Sequence, residues 1–442
     1  MRIGKRMRQH RYLMLCTIWT PLAWMLALPP VGLWPLGSVL YVPLLYVCCR
    51  EPGTVRRSIL AGVAAGLIAA LTVFGTFLFN PAEQLYARLL LAGLFLGFFV
   101  IHFLLVYLAA RQRTPVVRML VFVVGILATE YLVSRTRFAL PLFTGLLIID
   151  TPLAVFFSQT AGYLAPSAAV LLCNAGIAAL LLESPKRAVV TATIICAAAV
   201  APLYPGHHYE YSGFRLGYVQ QAVPHPIIRA AAHFPPLYWD IAGQYIDAIE
   251  QFDSRLDAVI LPENAFLLQY DHHHDVYERI ESLAQRMRSD IVAPAILEGG
   301  NEERYTALLH FSADGRLQDE YRKINLVPAV ESAVFTAGAS STLFHGNIRI
   351  GPMLCYDSVF PQLYAEYRDA KADLVVVAAD AGFIRTTAVP WIHLSYARLY
   401  STAYDVPVLH VSQSGPSALI TPDGKMTGIT QADQAGIVVV EL

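Results

Sequence analysis

The sequence predicts a multi-span α-helical membrane bundle followed by a separate α/β domain, and three observations carry that prediction. The 442 residues are 56% hydrophobic and only 15% charged, whereas soluble globular domains run near ~25% charged. The charges divide by sign: residues 1–206 hold 16 Lys and Arg against 5 Asp and Glu, while residues 207–442 hold 16 against 28. In the first half the apolar residues form stretches close to the ~20 needed to cross a bilayer. In the second they form strand-length runs alternating with helical periodicity. The acidic second half argues against nucleic acid as a partner, because neutralising phosphates needs a basic surface.

The expected spans are 12–29, 31–49, 58–79, 89–110, 119–133, 162–182 and 188–204, about seven in all. Residues 1–11 carry five Lys and Arg, with no small-residue cleavage site after the apolar run that follows, so the first span reads as an uncleaved helix. With the N-terminus in the cytoplasm, seven spans put Arg50, Arg56 and Arg57, then Arg111, Arg113 and Arg118, then Lys186 and Arg187 on the cytoplasmic side. Residues 207–442 then lie outside, although Arg135 and Arg137 fall on the outer side. Segment 138–158 is apolar but holds Pro141, Asp150 and Pro152. It reads as re-entrant or interfacial, since a charge at mid-bilayer is costly. Glu130 falls within a span, as a carboxylate near a helix end.

Strands are expected at 215–223, 256–261, 290–297, 305–312, 348–354, 373–378, 406–411, 417–421 and 437–440, and helices near 238–252, 277–288, 360–368 and 390–404. Asp314-Gly315 and Asp423-Gly424 are hairpin signals. Alternation alone allows a doubly wound sheet as well as other layered folds.

Cysteine usage isolates one residue. Cys16, Cys48, Cys49, Cys173 and Cys196 fall in the expected spans, leaving Cys355 alone in the second domain. A lone thiol there is either a small core residue or a group kept for chemistry. The strand 348–354 delivers it to the turn Leu354-Cys355-Tyr356-Asp357. A nucleophile on such an elbow is expected to be exposed, with a following helix N-terminus lowering its pKa and backbone N–H groups ready to cradle an oxyanion. Val259-Ile260-Leu261-Pro262-Glu263-Asn264 likewise ends an apolar strand in a carboxylate, and Tyr321-Arg322-Lys323-Ile324-Asn325-Leu326-Val327-Pro328 sets a Lys before an apolar stretch. Taken singly, Glu263 or Lys323 reads as a surface ion pair.

Together and in this order, the three motifs resemble the nitrilase (carbon-nitrogen hydrolase) superfamily. With the multi-span half in front, the chain resembles the apolipoprotein N-acyltransferase family within it. Gly217-Tyr218-Val219-Gln220-Gln221 resembles that family's opening strand, and Leu326-Val327-Pro328 with Glu331 its LVPxxE stretch. Pro390-Trp391-Ile392-His393 with Ala397-Arg398 resembles the helix after its nucleophile. The resemblance implies a four-layer α-β-β-α sandwich over residues 207–442. It also implies a Glu-Lys-Cys triad: Cys355 as nucleophile, Glu263 as general base, and Lys323 as oxyanion stabiliser helped by the Tyr356 backbone N–H. Glu331, Asp357 and His393 would be supporting residues. The implied partners are a phospholipid acyl donor and a lipoprotein or other amine acceptor, with the protein embedded in the bacterial inner membrane and the catalytic domain periplasmic.

Some positions differ from the family pattern. Asp357 stands where Glu is usual, and Ala379-Asp380-Ala381-Gly382-Phe383 and Ser412-Gln413-Ser414 replace its ND and TN motifs. The chain stops at Leu442, where the family continues into a further transmembrane helix. A second resemblance, to plasmid-borne conjugal-transfer membrane proteins related to the same acyltransferases, allows a different envelope amine or amide as substrate. A catalytically dead scaffold with Cys355 buried is the third reading. His272-His273-His274 reads as an exposed loop rather than a metal site, and His207-His208 as a linker. Phe266 and Leu267 read as core or as the wall of an acyl pocket. Nothing in the sequence calls for a metal or an organic cofactor.

Overall fold

The computed structural model describes residues 2–442 except 51–52, 80–84, 139–141, 185, 188–212, 232–233, 253–255, 267–268, 271–272, 329 and 381–387. The expected span 188–204, the His207-His208 linker, and Leu267 and His272 therefore lie outside the described residues. The chain divides into two compact units, one built from residues 1–206 and the other from 207–442 apart from three residues at 386–388.

The first unit is helical: α1 (Arg2–Ala27), α2 (Pro35–Val39), α3 (Val42–Arg50), α4 (Val55–Leu78), α5 (Leu85–Ala110), α6 (Pro115–Val133), α7 (Pro152–Ala161) and α8 (Ala165–Glu183). Among the described residues, four helical segments are long and apolar enough to cross a membrane: Val55–Val73, Arg88–Ala110, Pro115–Val133 and Ala165–Glu183. Their outward faces present Leu60, Leu89, Leu120 and Val124, each at least half exposed, as expected where the solvent is lipid. Gly62 and Gly66 bring α4 against α5 so closely that an added Cβ would stand 2.7 Å from the Val100 and Leu96 Cα atoms. That is the small-residue packing by which membrane helices approach one another.

Two expectations change here. Stretch 31–49 is not one span but α2 and α3, broken between them. Pro43 removes a helical donor, and the buried Asn174 side chain on α8 serves the break. Its Oδ1 accepts from the Tyr41 N–H at 2.7 Å, and its Nδ2 donates to the Gly37 carbonyl at 2.8 Å. Within 138–158 no single helix runs through the described residues: a 3-10 turn over Thr144–Ile148 precedes the ten-residue α7. Glu130 lies near the end of α6 and is buried, and its Oε1 accepts from the Thr144 N–H at 2.7 Å and hydroxyl at 2.5 Å. This carboxylate fastens the 3-10 turn.

The second unit holds two six-stranded sheets. Their strands are β1 (Arg215–Gln220), β2 (Ala258–Ile260), β3 (Asp290–Glu298), β4 (Arg304–Phe311), β5 (Leu317–Arg322), β6 (Phe344–His345), β7 (Arg349–Leu354), β8 (Leu374–Ala379), β9 (Val408–Ser412), β10 (Ala418–Ile420), β11 (Met426–Thr427) and β12 (Gly436–Glu441). The orders are β12-β1-β2-β3-β4-β5 and β11-β10-β9-β8-β7-β6. Each sheet has a parallel central trio, β1-β2-β3 and β7-β8-β9, flanked by antiparallel strands. The β4–β5 and β10–β11 hairpins turn at Gly315 and Gly424, with φ of +81° and +78°, where glycine carries no Cβ penalty.

Period-2 alternation along the strands separates two apolar layers. Tyr218, Ile260, Val292 and Leu308 of the first sheet pack with Ile350, Val376, Leu409 and Leu419 of the second in one core between the sheets. Val219, Val259 and Ile291 face the other way, onto Tyr245 and Ile249 of α10 (Pro235–Ile249) and Tyr277 and Ile280 of α11 (His274–Met287), which follow the short α9 (His225–Ala231). The outer side of the second sheet is covered by α12 (Pro361–Asp369) and α13 (Ala388–Tyr404), whose Tyr364 and Tyr400 rings meet at 4.9 Å. The unit is the α-β-β-α sandwich that the resemblance implied. Phe266 belongs to the helix-side core, edge-on to Tyr245 and Tyr277, so it packs the interior instead of walling an acyl pocket. His273 packs edge-on against Trp239, and His274 opens α11.

Candidate active site

The carboxyl ends of strands supply the candidate groups. Pro262 and Glu263 follow β2, Cys355 follows β7, Asp380 follows β8, and Lys323 follows the edge strand β5. A strand end fixes where each side chain starts while leaving the loop free to vary.

Lys323 is fully buried, and its ammonium donates to Glu263 Oε1 at 2.9 Å and to Glu331 Oε1 at 2.7 Å. The other Glu331 oxygen accepts from the Val327 N–H at 2.8 Å, so the loop after Lys323 returns to orient the carboxylate that pairs with it. Burial opposes the Lys323 charge, but the two carboxylates outweigh it, and its pKa is raised well above the ordinary value. The same burial pushes Glu263 up to about 7 against the pull of Lys323, with Glu331 and Asp380 adding to the rise.

Cys355 differs from the expectation. The elbow is not exposed: Cys355 is buried, at 7% exposure, and opens a 3-10 turn over Cys355–Val359, with α12 starting only at Pro361. Burial and the Glu263 carboxylate push its thiol pKa well up, despite Lys323, so no helix N-terminus delivers a ready thiolate. A thiol in this setting needs a base, and a carboxyl group titrating near neutrality matches that task. The residue has φ +41°, a left-handed conformation costing about 1–3 kcal/mol outside glycine.

Asp357 explains how that turn is held. Its Oδ1 accepts from the Asn325 N–H at 2.7 Å and side-chain amide at 3.0 Å, and its Oδ2 from the Tyr321 hydroxyl at 2.7 Å and the Leu354 N–H at 3.2 Å. Four donors converge on one fully buried carboxylate, tying the Lys323 loop to the Cys355 turn. The shorter Asp side chain suits this compact role. Tyr356 stacks edge-on with Phe360, the centroids 5.2 Å apart, and His393 Nε2 lies 3.0 Å from the Cys355 carbonyl.

The structure thus brings Glu263, Lys323 and Glu331 into one ion-paired cluster whose charges act on Cys355, and sets Asp357 and His393 against the Cys355 turn. Sequence reasoning gave no role to Asp380, Asn264, Tyr321 or Asn325. Asp380 accepts from the Asn264 amide at 2.9 Å and the Ser414 hydroxyl at 3.2 Å, and its carbonyl faces the Cys355 sulfur at 3.8 Å. The available signal was adjacency: Asn264 follows Glu263, and Tyr321 and Asn325 flank Lys323 at two residues each. Among the described residues no group of three His, Cys, Asp or Glu side chains is arranged to hold a metal.

Residues 21–176 match the apolipoprotein N-acyltransferase N-terminal domain, and residues 229–442 match the carbon-nitrogen hydrolase domain. The apolipoprotein N-acyltransferase of Rickettsia bellii is 23% identical over 242 residues, covering 50% of this chain and 47% of the relative. That of Geobacter metallireducens is 26% identical over 203 residues, covering 41% and 39%. The chain's match spans about half or less of the length of these relatives. A mutant of the Nesterenkonia AN1 amidase from the nitrilase superfamily is 19% identical, with a TM-score of 0.44 and coverage of 54% of this chain and 93% of that one. The two domain matches in this order, the four apolar helices and the two-sheet sandwich make this chain an apolipoprotein N-acyltransferase-like membrane protein of the nitrilase superfamily.

Proposed function

We propose that the chain is a membrane-bound acyltransferase that moves a fatty acyl group from a phospholipid, through a thioester on Cys355, to the N-terminal amine of a lipoprotein. The single observation supporting this most is the fully buried Lys323, clamped between Glu263 and Glu331 beside a thiol in a left-handed turn. Two carboxylates and a lysine buried together are costly without a task.

In the first half-reaction Glu263 takes the thiol proton as the Cys355 sulfur attacks the ester carbonyl. The oxyanion faces the Lys323 ammonium and the Tyr356 N–H. Collapse breaks the ester C–O bond, and Glu263 returns the proton to the departing lysophospholipid oxygen. In the second half-reaction the acceptor amine attacks the thioester. Glu263 takes a proton from the nitrogen, and the Cys355 thiolate leaves and is reprotonated as the amide forms. No redox partner is needed. A bilayer-embedded unit in the same chain keeps the catalytic unit near a surface where donor and acceptor are both anchored, raising their effective concentration.

The basic short loops support a cytoplasmic N-terminus in the inner membrane and a periplasmic catalytic unit. A Gln434→Cys variant, at an exposed position, would be labelled by an impermeant maleimide on intact spheroplasts; labelling only after lysis contradicts that orientation. The chemistry is tested by incubating the purified protein with phospholipid vesicles. A hydroxylamine-sensitive acyl group at Cys355 supports the reading, and a folded protein that acquires none rejects it.

A further inference from the structure

From the Cys355 carbonyl runs a chain of polar groups that the proposed mechanism does not use. His393 on α13 and His410 on β9 are buried, at 8% and 1% exposure. The Ser358 hydroxyl donates to the Cys355 carbonyl at 2.8 Å. His393 Nε2 stands 2.6 Å from Ser358 Oγ and 3.0 Å from the same carbonyl, and His410 Nε2 stands 3.1 Å from His393 Nδ1. The two rings meet nearly at right angles, 78°, with centroids 5.0 Å apart.

With both rings neutral, one placement of protons serves the contacts that run from His410 Nε2 to the Cys355 carbonyl. A carbonyl oxygen cannot donate, so His393 Nε2 carries the proton. Nδ1 of that neutral ring is then an acceptor, and the proton between the rings belongs to His410 Nε2. Burial favours neutral rings: it pushes His393 down to about 4 and His410 well below its ordinary value.

The carbonyl gripped at the end of this chain has a second significance. It belongs to the planar peptide joining Cys355 to Tyr356, whose N–H points the opposite way. Donors on the carbonyl therefore fix the direction of the Tyr356 N–H. They also polarise it, since hydrogen bonds in series strengthen one another. They hold in place a left-handed Cys355 that would otherwise relax.

We infer that His410 and His393 form a neutral imidazole relay that positions the Cys355–Tyr356 peptide, aiming its N–H at the developing oxyanion. Both are positioning residues, acting through the backbone of the nucleophile. The inference rests on the acyl-transfer reading for its kinetic consequence but not for its proton placement.

The test compares two electrophiles on the full-length protein in detergent, with modification read at Cys355 by peptide mass spectrometry. A p-nitrophenyl ester acylates through an oxyanion; iodoacetamide alkylates by displacement and forms none. His410→Phe keeps a ring and removes the donor. Its acylation rate is expected to fall about tenfold or more, a fraction of the ~10²–10³ for losing an oxyanion donor outright, while alkylation changes less than about threefold. His410→Gln, which offers an N–H in a similar place, is expected to recover most of the acylation rate. Equal loss in both reactions, or none in either, overturns the relay. Should the variants fail to fold, ¹⁵N chemical shifts of the wild-type histidines decide: protonated Nε2 and bare Nδ1 on His393 are expected, and a protonated Nδ1 contradicts the inference. Wild-type protein that is alkylated at Cys355 but never acylated removes the acyl-transfer reading instead, and the shifts still judge the relay.

Discussion

The ion pairs around Lys323 and those around His310 both lie in the second unit, and they differ in what accompanies the charges. In one, Lys323 bonds Glu263 and Glu331 at 2.9 and 2.7 Å, the carboxylates are 8% and 19% exposed, and Cys355 is within their electrostatic reach. In the other, His310 on β4 pairs with Asp319 on β5 at 3.0 Å and Asp290 on β3 at 3.5 Å. There Asp290 also accepts from the Ala313 and Asn347 N–H groups at 2.9 and 2.6 Å, and Asp319 from the His345 N–H at 3.1 Å. The His310 ring stacks on Phe344 at 5.2 Å. These bonds join β3, β4 and β5 of one sheet to the β6–β7 turn of the other. Burial and paired charge are common to both clusters, so neither feature by itself marks a reactive site. Exposure does not separate them either, since Asp319 is 22% exposed against 19% for Glu331; the first cluster is distinguished by the thiol of Cys355 and the left-handed backbone that carries it.

The comparison sharpens under substitution. Lys323→Met is expected to slow ester acylation of Cys355 by ~10²–10³; stopped-flow release of nitrophenol measures it, and a loss under tenfold removes the oxyanion role. His310→Phe leaves the buried Asp290 and the part-exposed Asp319 without their cation and is expected to cost about 3–5 kcal/mol in stability. The acylation rate of the folded fraction stays within about twofold. A large rate effect there would erase the distinction between the clusters.

Acidity separates them further. Burial pushes Glu263 up to about 7, and the group must be ionised to accept the thiol proton, so the acylation rate is expected to fall as pH drops through that region. A flat profile from pH 5 to 9 argues against Glu263 as base. Burial opposes the His310 charge, but Asp290 and Asp319 raise its pKa above the ordinary value near 6.5. Its contribution is therefore fully present below pH ~6.5 and is lost as pH rises through the folded-state value. The melting midpoint should decline over that alkaline window in wild type and not in His310→Phe. Smallest of all, Asp357→Asn turns one acceptor oxygen into a donor facing donors, at a cost of about 1–3 kcal/mol. Slower acylation should accompany it, because the Lys323 loop and the Cys355 turn lose their common anchor.

Much of the sandwich is legible in the sequence because its inner strands are uniformly apolar: Val375 to Val377 or Val259 to Leu261 have no other stable place. Strand β5 is not, since Leu317-Gln318-Asp319-Glu320-Tyr321-Arg322 is an edge strand with charges outward. Its signal is the hairpin before it. The α2–α3 break is equally silent, because its remedy, Asn174, lies more than 130 positions along the chain. Glu263, Lys323 and Glu331 are legible as residues at strand ends and motif positions, but the burial that drives Glu263 and Cys355 upward exists only in the folded unit. His410 reads as one more residue in an apolar strand until the fold sets it against His393.

If Cys355 carries an acyl group between donor and acceptor, intact-protein mass spectrometry will detect it. Wild type and Cys355→Ser are incubated with phospholipid vesicles and weighed before and after hydroxylamine. A fatty-acyl increment is expected on wild type, removed by hydroxylamine and absent from the folded, membrane-inserted variant. An equal increment on Cys355→Ser, or none on wild type, would contradict that role for Cys355.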